Sequence, residues 1–153
     1  VDKKPLKRHQ ALQPLSRDHH QGLLLCWKIR TGFGKGVEPN RIKSYADWFF
    51  ENHLIPHFKM EEQHIFSLLE DDNALKRKAL DDHKALILLF SKTDEVAKTL
   101  SDIEKQLDDH IRFEERVLFP EIQKIATEEQ FKTIEAMHHE KPFVDNVADS
   151  FWT

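Results

Sequence analysis

Two stretches of the sequence repeat one pattern, His57-Phe-Lys-Met-Glu61-Glu62 and His110-Ile-Arg-Phe-Glu114-Glu115, and each runs on to an aromatic, Phe66 or Phe119. In an α-helix, positions i and i+4 lie one turn apart on the same face, at about 100° and 1.5 Å per residue. One helix can therefore aim an imidazole and a carboxylate at a single point. In both stretches this face is also the apolar one: Leu54, His57, Glu61, Ile65 and Leu68 in the first, Ile103, Leu107, His110, Glu114, Val117, Leu118 and Ile122 in the second. Two helices that turn histidine and glutamate toward a core must pack against something able to satisfy them.

Composition narrows what that core can be. Only four glycines and six prolines in 153 residues, with 33% charged and 39% apolar side chains, predict one all-helical domain with a substantial core. A net charge of −4 carries no nucleic-acid footprint. The longest apolar run, Ala85 to Phe90, is far short of the roughly 20 residues that span a bilayer. No membrane association is expected. A single cysteine, Cys26, excludes an internal disulfide framework, and with no leader-like start it leads to the expectation of a cytoplasmic protein. Ten histidines are the one unusual count, and they require an explanation.

Residues 1–14 read as a polar N-terminal arm and 15–153 as a single helical domain. The pattern turns helical from Ser16 in a first helix, with Leu12, Leu15, His19, Gly22 or Leu23, Cys26 and Ile29 on one face and His20 about 100° away on its flank, and ends in the glycine cluster Thr31 to Gly36. A second begins between Pro39 and Ser44 and runs to about Leu69, with a kink expected ahead of His57 at Pro56. After Glu70-Asp-Asp-Asn73, a third carries Ala79, His83, Leu86, Ile87 and Phe90. The capping-box pattern Ser101-Asp-Ile-Glu104 predicts the start of the fourth. A last helical segment, from Thr127 to about Ser150, includes His138 and His139.

The first and third helices are themselves repeats, Asp18-His19 matching Asp82-His83, so single histidines alternate with His-Glu pairs. In antiparallel neighbours, residues equidistant from the connecting turn lie side by side. The midpoints between His19 and His57, His57 and His83, and His83 and His110 are residues 38, 70 and 96 to 97, all on or near predicted turns. The four histidines should therefore meet in one layer of an up-down-up-down four-helix bundle with an extra C-terminal helix. Buried without a cation, four imidazoles and two carboxylates would cost several kcal/mol per group. Imidazole and carboxylate donors without thiolate suit iron, manganese or zinc.

This ordered set of motifs resembles the hemerythrin-like, or HHE cation-binding, family over about residues 15 to 126. The resemblance implies a non-haem di-iron centre, oxo- or hydroxo-bridged when oxidised, with Glu61 and Glu114 as bridging carboxylates and His19, His57, His83 and His110 as terminal ligands. Iron is expected ahead of manganese or zinc. The implied small ligand is oxygen, nitric oxide or peroxide; the sequence identifies no protein partner. One departure stands out, since oxygen carriers of that family place a further histidine four residues after the first in the third helix, and here that residue is Ile87. The expected function is binding or sensing of oxygen or a related diatomic, and the alternative is a redox-active di-iron enzyme or iron-centre repair factor. His20, His64, His138 and His139 are candidates for a fifth histidine. Glu62 and Glu115 are expected beside the site rather than as ligands.

Overall fold

The structure, a computed structural model, describes residues 7–137 and 142–153. Among the described residues the regular structure is all helical, with no strand. A short 3-10 turn, Gln10–Leu12, leads into α1, Gln13–Gly34. Helix α2 spans residues 39–68, α3 is Ala74–Ser91, α4 spans residues 96–125 and α5 is Glu128–Met137. Among the described residues, no helix is long and apolar enough to cross a membrane.

Side-chain contacts fix the relative directions of the helices. Asp18 meets His57 while Lys28 meets Tyr45, so α1 and α2 run antiparallel. Lys43 meets Phe90 while Glu62 meets His83, and Ser16 meets Glu115 while Cys26 meets Glu104, which gives the same sense to α2 with α3 and to α1 with α4. The core divides into two apolar clusters. One gathers Leu25, Ile29, Ile42, Phe49, Ile103 and Leu107; the other gathers Leu12, Leu15, Ile65, Phe66, Phe119 and Ile122. The buried polar side chains His19, His57, Glu61, His83, His110 and Glu114 belong to neither cluster.

Helices α2 and α4 are not uniform. Each contains a π-helical turn that opens on its glutamate, Glu61–Ile65 and Glu114–Leu118, closed by the Phe66 and Phe119 N–H groups donating to the Glu61 and Glu114 carbonyls five residues back. A third π turn, Phe50–Leu54, lies just before Pro56, as Glu114–Leu118 lies just before Pro120. A proline lacks the N–H of the regular ladder and its ring crowds the carbonyl four residues back. The wide turn upstream absorbs that defect, so both helices continue through their prolines. π turns of this kind are frequent at functional sites.

Two sequence expectations need correction. Helix α4 starts at Val96, not Ser101, because its apolar face already includes Leu100 and the buried Thr99. Its start is set by Glu95, in a left-handed conformation at φ 44°, whose carbonyl accepts the Thr99 N–H. Of the last segment, Glu128–Met137 is helical and residues 142–153 are irregular. There the Asp145 and Asn146 side chains accept backbone N–H groups from Asn146 and Ala148, which competes with helix formation. Phe151 packs into the core instead, close enough to Gly32 that a Cβ there would lie 2.9 Å from its ring.

This segment is held by a buried cation. Lys28 Nζ donates to Tyr45 Oη and to Asp145 Oδ2, each at 2.7 Å, and lies over the Trp152 ring at 4.0 Å. Asp145→Ala would leave the buried ammonium without its counter-ion. It is expected to lower stability by about 1–3 kcal/mol, measurable by urea unfolding.

Candidate metal centre

The four histidines and two glutamates that the sequence singles out lie together, all buried, with Glu61 and Glu114 at 0% exposure. They form two groups whose ligand atoms lie within 4.8 Å of one another, His19, His57 and Glu61 in one and His83, His110, Glu61 and Glu114 in the other. Glu61 belongs to both. Its Oε1 lies 3.1 Å from His57 Nε2 and 3.2 Å from His83 Nε2, and its Oε2 lies 3.7 Å from His19 Nε2. Glu114 spans the groups similarly: Oε1 contacts His110 Nε2 and stands 3.8 Å from His83 Nε2, while Oε2 stands 3.8 Å from His19 Nε2. Each carboxylate thus faces imidazoles of both groups.

The outer nitrogens of all four rings are engaged by carboxylates. His19 Nδ1 meets Glu115 at 2.7 Å, His57 Nδ1 meets Asp18 at 3.0 Å, His83 Nδ1 meets Glu62 at 2.9 Å and His110 Nδ1 meets Asp82 at 2.9 Å. An ionised carboxylate only accepts, so each Nδ1 carries the proton. In a neutral ring this leaves the Nε2 lone pair facing inward, the arrangement found around metal-bound histidines. Asp18 and Asp82 are functional residues that sequence reasoning missed. Their signal was the repeated Asp-His pair, but each aspartate serves a histidine on the neighbouring helix, not the one beside it.

Inside this ring the polar groups are unsatisfied. Both oxygens of Glu61 and of Glu114, with Nε2 of His83 and of His110, are buried without a hydrogen-bond partner. His19 Nε2 and His57 Nε2 face each other at 3.2 Å. Two ligands held about 2.1 Å from a single ion are separated by roughly this distance. The donor set and its orphaned atoms therefore fit metal ions held between imidazole pairs and shared carboxylates. Aromatic rings close the layer, with Phe58 stacked on His83 at 3.9 Å and Phe119 on His19 at 5.3 Å.

Two of the candidates for a fifth histidine stand outside the site. His20 is exposed, and the half-buried His64 is outside both groups. His138 and His139 lie outside the described residues. Ile87 is 39% exposed, and the inward position on that turn of α3 is Leu86.

The charges of the site oppose its burial. Burial alone would lower the histidine pKa values, but the carboxylates outweigh it, raising His19 to about 9 through Glu115 and Glu61 and His83 to about 10 through Glu114 and Glu61. His57 and His110 are raised too, and Glu61 is held well below the usual carboxylate range despite its burial. These imidazolium groups stabilise the metal-free fold fully below the ordinary histidine value of 6.5, and that contribution is lost as pH rises through about 9 to 10. Melting of the metal-free protein should thus fall in temperature between about pH 7 and pH 10, while a metal-saturated sample, whose rings are already neutral, should lack this descent.

No family model matches the chain, and neither a curated protein nor a solved structure resembles it significantly. Fold and site together define an all-helical protein with a buried histidine and glutamate cluster able to hold metal.

Proposed function

We propose that the chain is a hemerythrin-like protein, an up-down-up-down four-helix bundle with α5 as an added C-terminal helix, that holds two iron ions and binds or senses oxygen or a related diatomic. The observation that carries this reading is the set of six buried, unpartnered atoms on Glu61, Glu114, His83 and His110, inside a ring of carboxylate-held imidazoles. The antiparallel contact registers support the bundle topology. When bound, a pair of irons supplies the electrons for reversible uptake of a diatomic. The chain's own part is to fix the donors: His19 and His57 would hold one ion, His83 and His110 the other, and Glu61 and Glu114 would join them. Phe58 and Phe66, packed on His83, and Phe119, stacked on His19, are buried around the rings and hold them in place.

Two imidazoles and two carboxylate oxygens per ion leave coordination positions uncovered, and the turn after His83 presents Leu86 inward. That supports a second reading, a redox-active di-iron enzyme or iron-centre repair factor handling peroxide or nitric oxide. Metal analysis of the purified protein, then optical spectra of the reduced form exposed to oxygen, peroxide and nitric oxide, decides. Two irons per chain with a reversible, oxygen-dependent band is the expected result. Irreversible oxidation with sustained peroxide consumption would establish the second reading, and zinc alone or no metal would overturn both.

A further inference from the structure

The site has an internal pseudo-symmetry that its surroundings break. His19 and His83 are 64 positions apart, as are Asp18 and Asp82; His57 and His110 are 53 apart, as are Glu62 and Glu115. The hydrogen bonds follow these offsets, Asp18 to His57 matching Asp82 to His110 and Glu115 to His19 matching Glu62 to His83. Two cavities obey the same relation. A cavity of about 230 Å³ beside His110 is walled by Lys78, Asp82, Leu86, Gln106, Asp109 and His110. The counterparts of all six, Pro14, Asp18, Gly22, His53, Pro56 and His57, wall a second cavity of about 640 Å³.

The two cavities differ at four of those six positions. Where the small one has Lys78, Leu86, Gln106 and Asp109, the large one has Pro14, Gly22, His53 and Pro56. The exchanges remove an ammonium and a carboxylate and set a residue without a side chain, Gly22, where the small cavity has Leu86. A Cβ at Gly22 would stand 2.7 Å from Ile111 Cδ1, so any side chain there would push that tip aside. Phe49, Leu54, Phe58, Leu107, Ile111 and Phe143 are among the other apolar walls, while Gln21 and Asn52 add amides and Arg17 a guanidinium. The cavity also reaches His19 and His110, so it touches both imidazoles of one group and one of the other. A diatomic needs a small fraction of this space. Pockets of about 300–1,000 Å³, mainly apolar with a few polar groups, are those that enclose small organic molecules.

We propose that the 640 Å³ cavity beside His19 and His57 is a binding site for an apolar organic molecule, its body against Phe49, Leu54 and Phe58 and its polar end toward Gln21 and Asn52. This deepens the reading of the metal centre, because such a molecule would lie against His19, His57 and His110, while the apolar walls it rests on, Phe49, Leu54 and Phe58, are not ligands. Indole, apolar and planar with one donor, is a suitable probe, titrated into the full chain with and without iron and followed by saturation-transfer NMR. Saturable one-to-one binding is expected, weakened at least about tenfold by Gly22→Leu, which fills the cavity, and by Phe143→Ala, which removes a wall on a partly exposed segment. Should Gly22→Leu fail to fold, Phe143→Ala carries the test alone. Absence of saturable binding, or binding undiminished in the folded variants, overturns the assignment. Indole binding by a protein that takes up no iron would sustain the cavity and overturn the di-iron reading. Two bound irons without indole binding would do the reverse.

Discussion

Replacing Glu61 by alanine is expected to remove both metal ions, whereas Glu114→Ala should cost chiefly the ion of the His83 and His110 group. The difference follows from geometry. Glu61 belongs to both candidate groups, with one oxygen between His57 and His83 and the other toward His19, whereas Glu114 belongs to one and reaches His19 only at 3.8 Å. The measurement is metal content per folded chain after equilibration at limiting free iron. Stability should follow occupancy, because an ion that binds only the native state at a thousand times its dissociation constant adds about 4 kcal/mol. For a chain of this size that corresponds to roughly 8–16 °C in melting temperature per ion lost. Melting compared with and without added metal separates this effect from simple damage to packing. If Glu61→Ala retained two ions at unchanged affinity, the shared position of Glu61 would carry no functional weight.

The ligand layer was readable in the sequence because every member obeys a local rule. His57 and Glu61, and His110 and Glu114, are related by one helical turn, and His19 and His83 fall on apolar stripes at positions that the turns bring level. What surrounds the layer obeys no local rule. Asp18 stands next to His19 in the chain, yet its carboxylate meets His57 because successive helical residues point about 100° apart. The π turns were equally hidden: Glu61–Ile65 has no proline or glycine to mark it, and only the closing bond from Phe66 N–H to the Glu61 carbonyl reveals it. At the start of α4 a genuine capping pattern, Ser101 to Glu104, was overridden because burying Leu100 and Thr99 gains more than capping at Ser101 would. The unequal cavities depend on Gly22 against Leu86, a comparison that becomes meaningful only once both helices are seen around one centre.

The same pairing across helices makes Asp18→Ala and Asp82→Ala an informative pair. Asp18 accepts from His57 Nδ1 and Asp82 from His110 Nδ1, so the two substitutions act on different ions, each that of the aspartate's own chain neighbour, His19 or His83. Loss of such an outer partner frees the ring to rotate and weakens its basicity, which commonly lowers metal affinity by about 10–100-fold. Asp18→Ala should therefore weaken the ion of the His19 and His57 group, and Asp82→Ala the ion of the His83 and His110 group, each leaving one ion per chain at metal concentrations that saturate the unaltered protein. Asparagine at either position keeps an oxygen able to accept the Nδ1 proton without its charge, so Asp18→Asn and Asp82→Asn should recover part of the affinity. Asp18 is the more exposed, at 60% of its side chain against 25% for Asp82, so water can replace it more readily and its loss should have the smaller effect. Direct titration with a divalent metal, resolving two binding steps, reads the result. Equal weakening of both steps by either substitution would mean that the two halves respond as one unit, and that the outer carboxylates tune the layer's total charge instead of orienting individual rings.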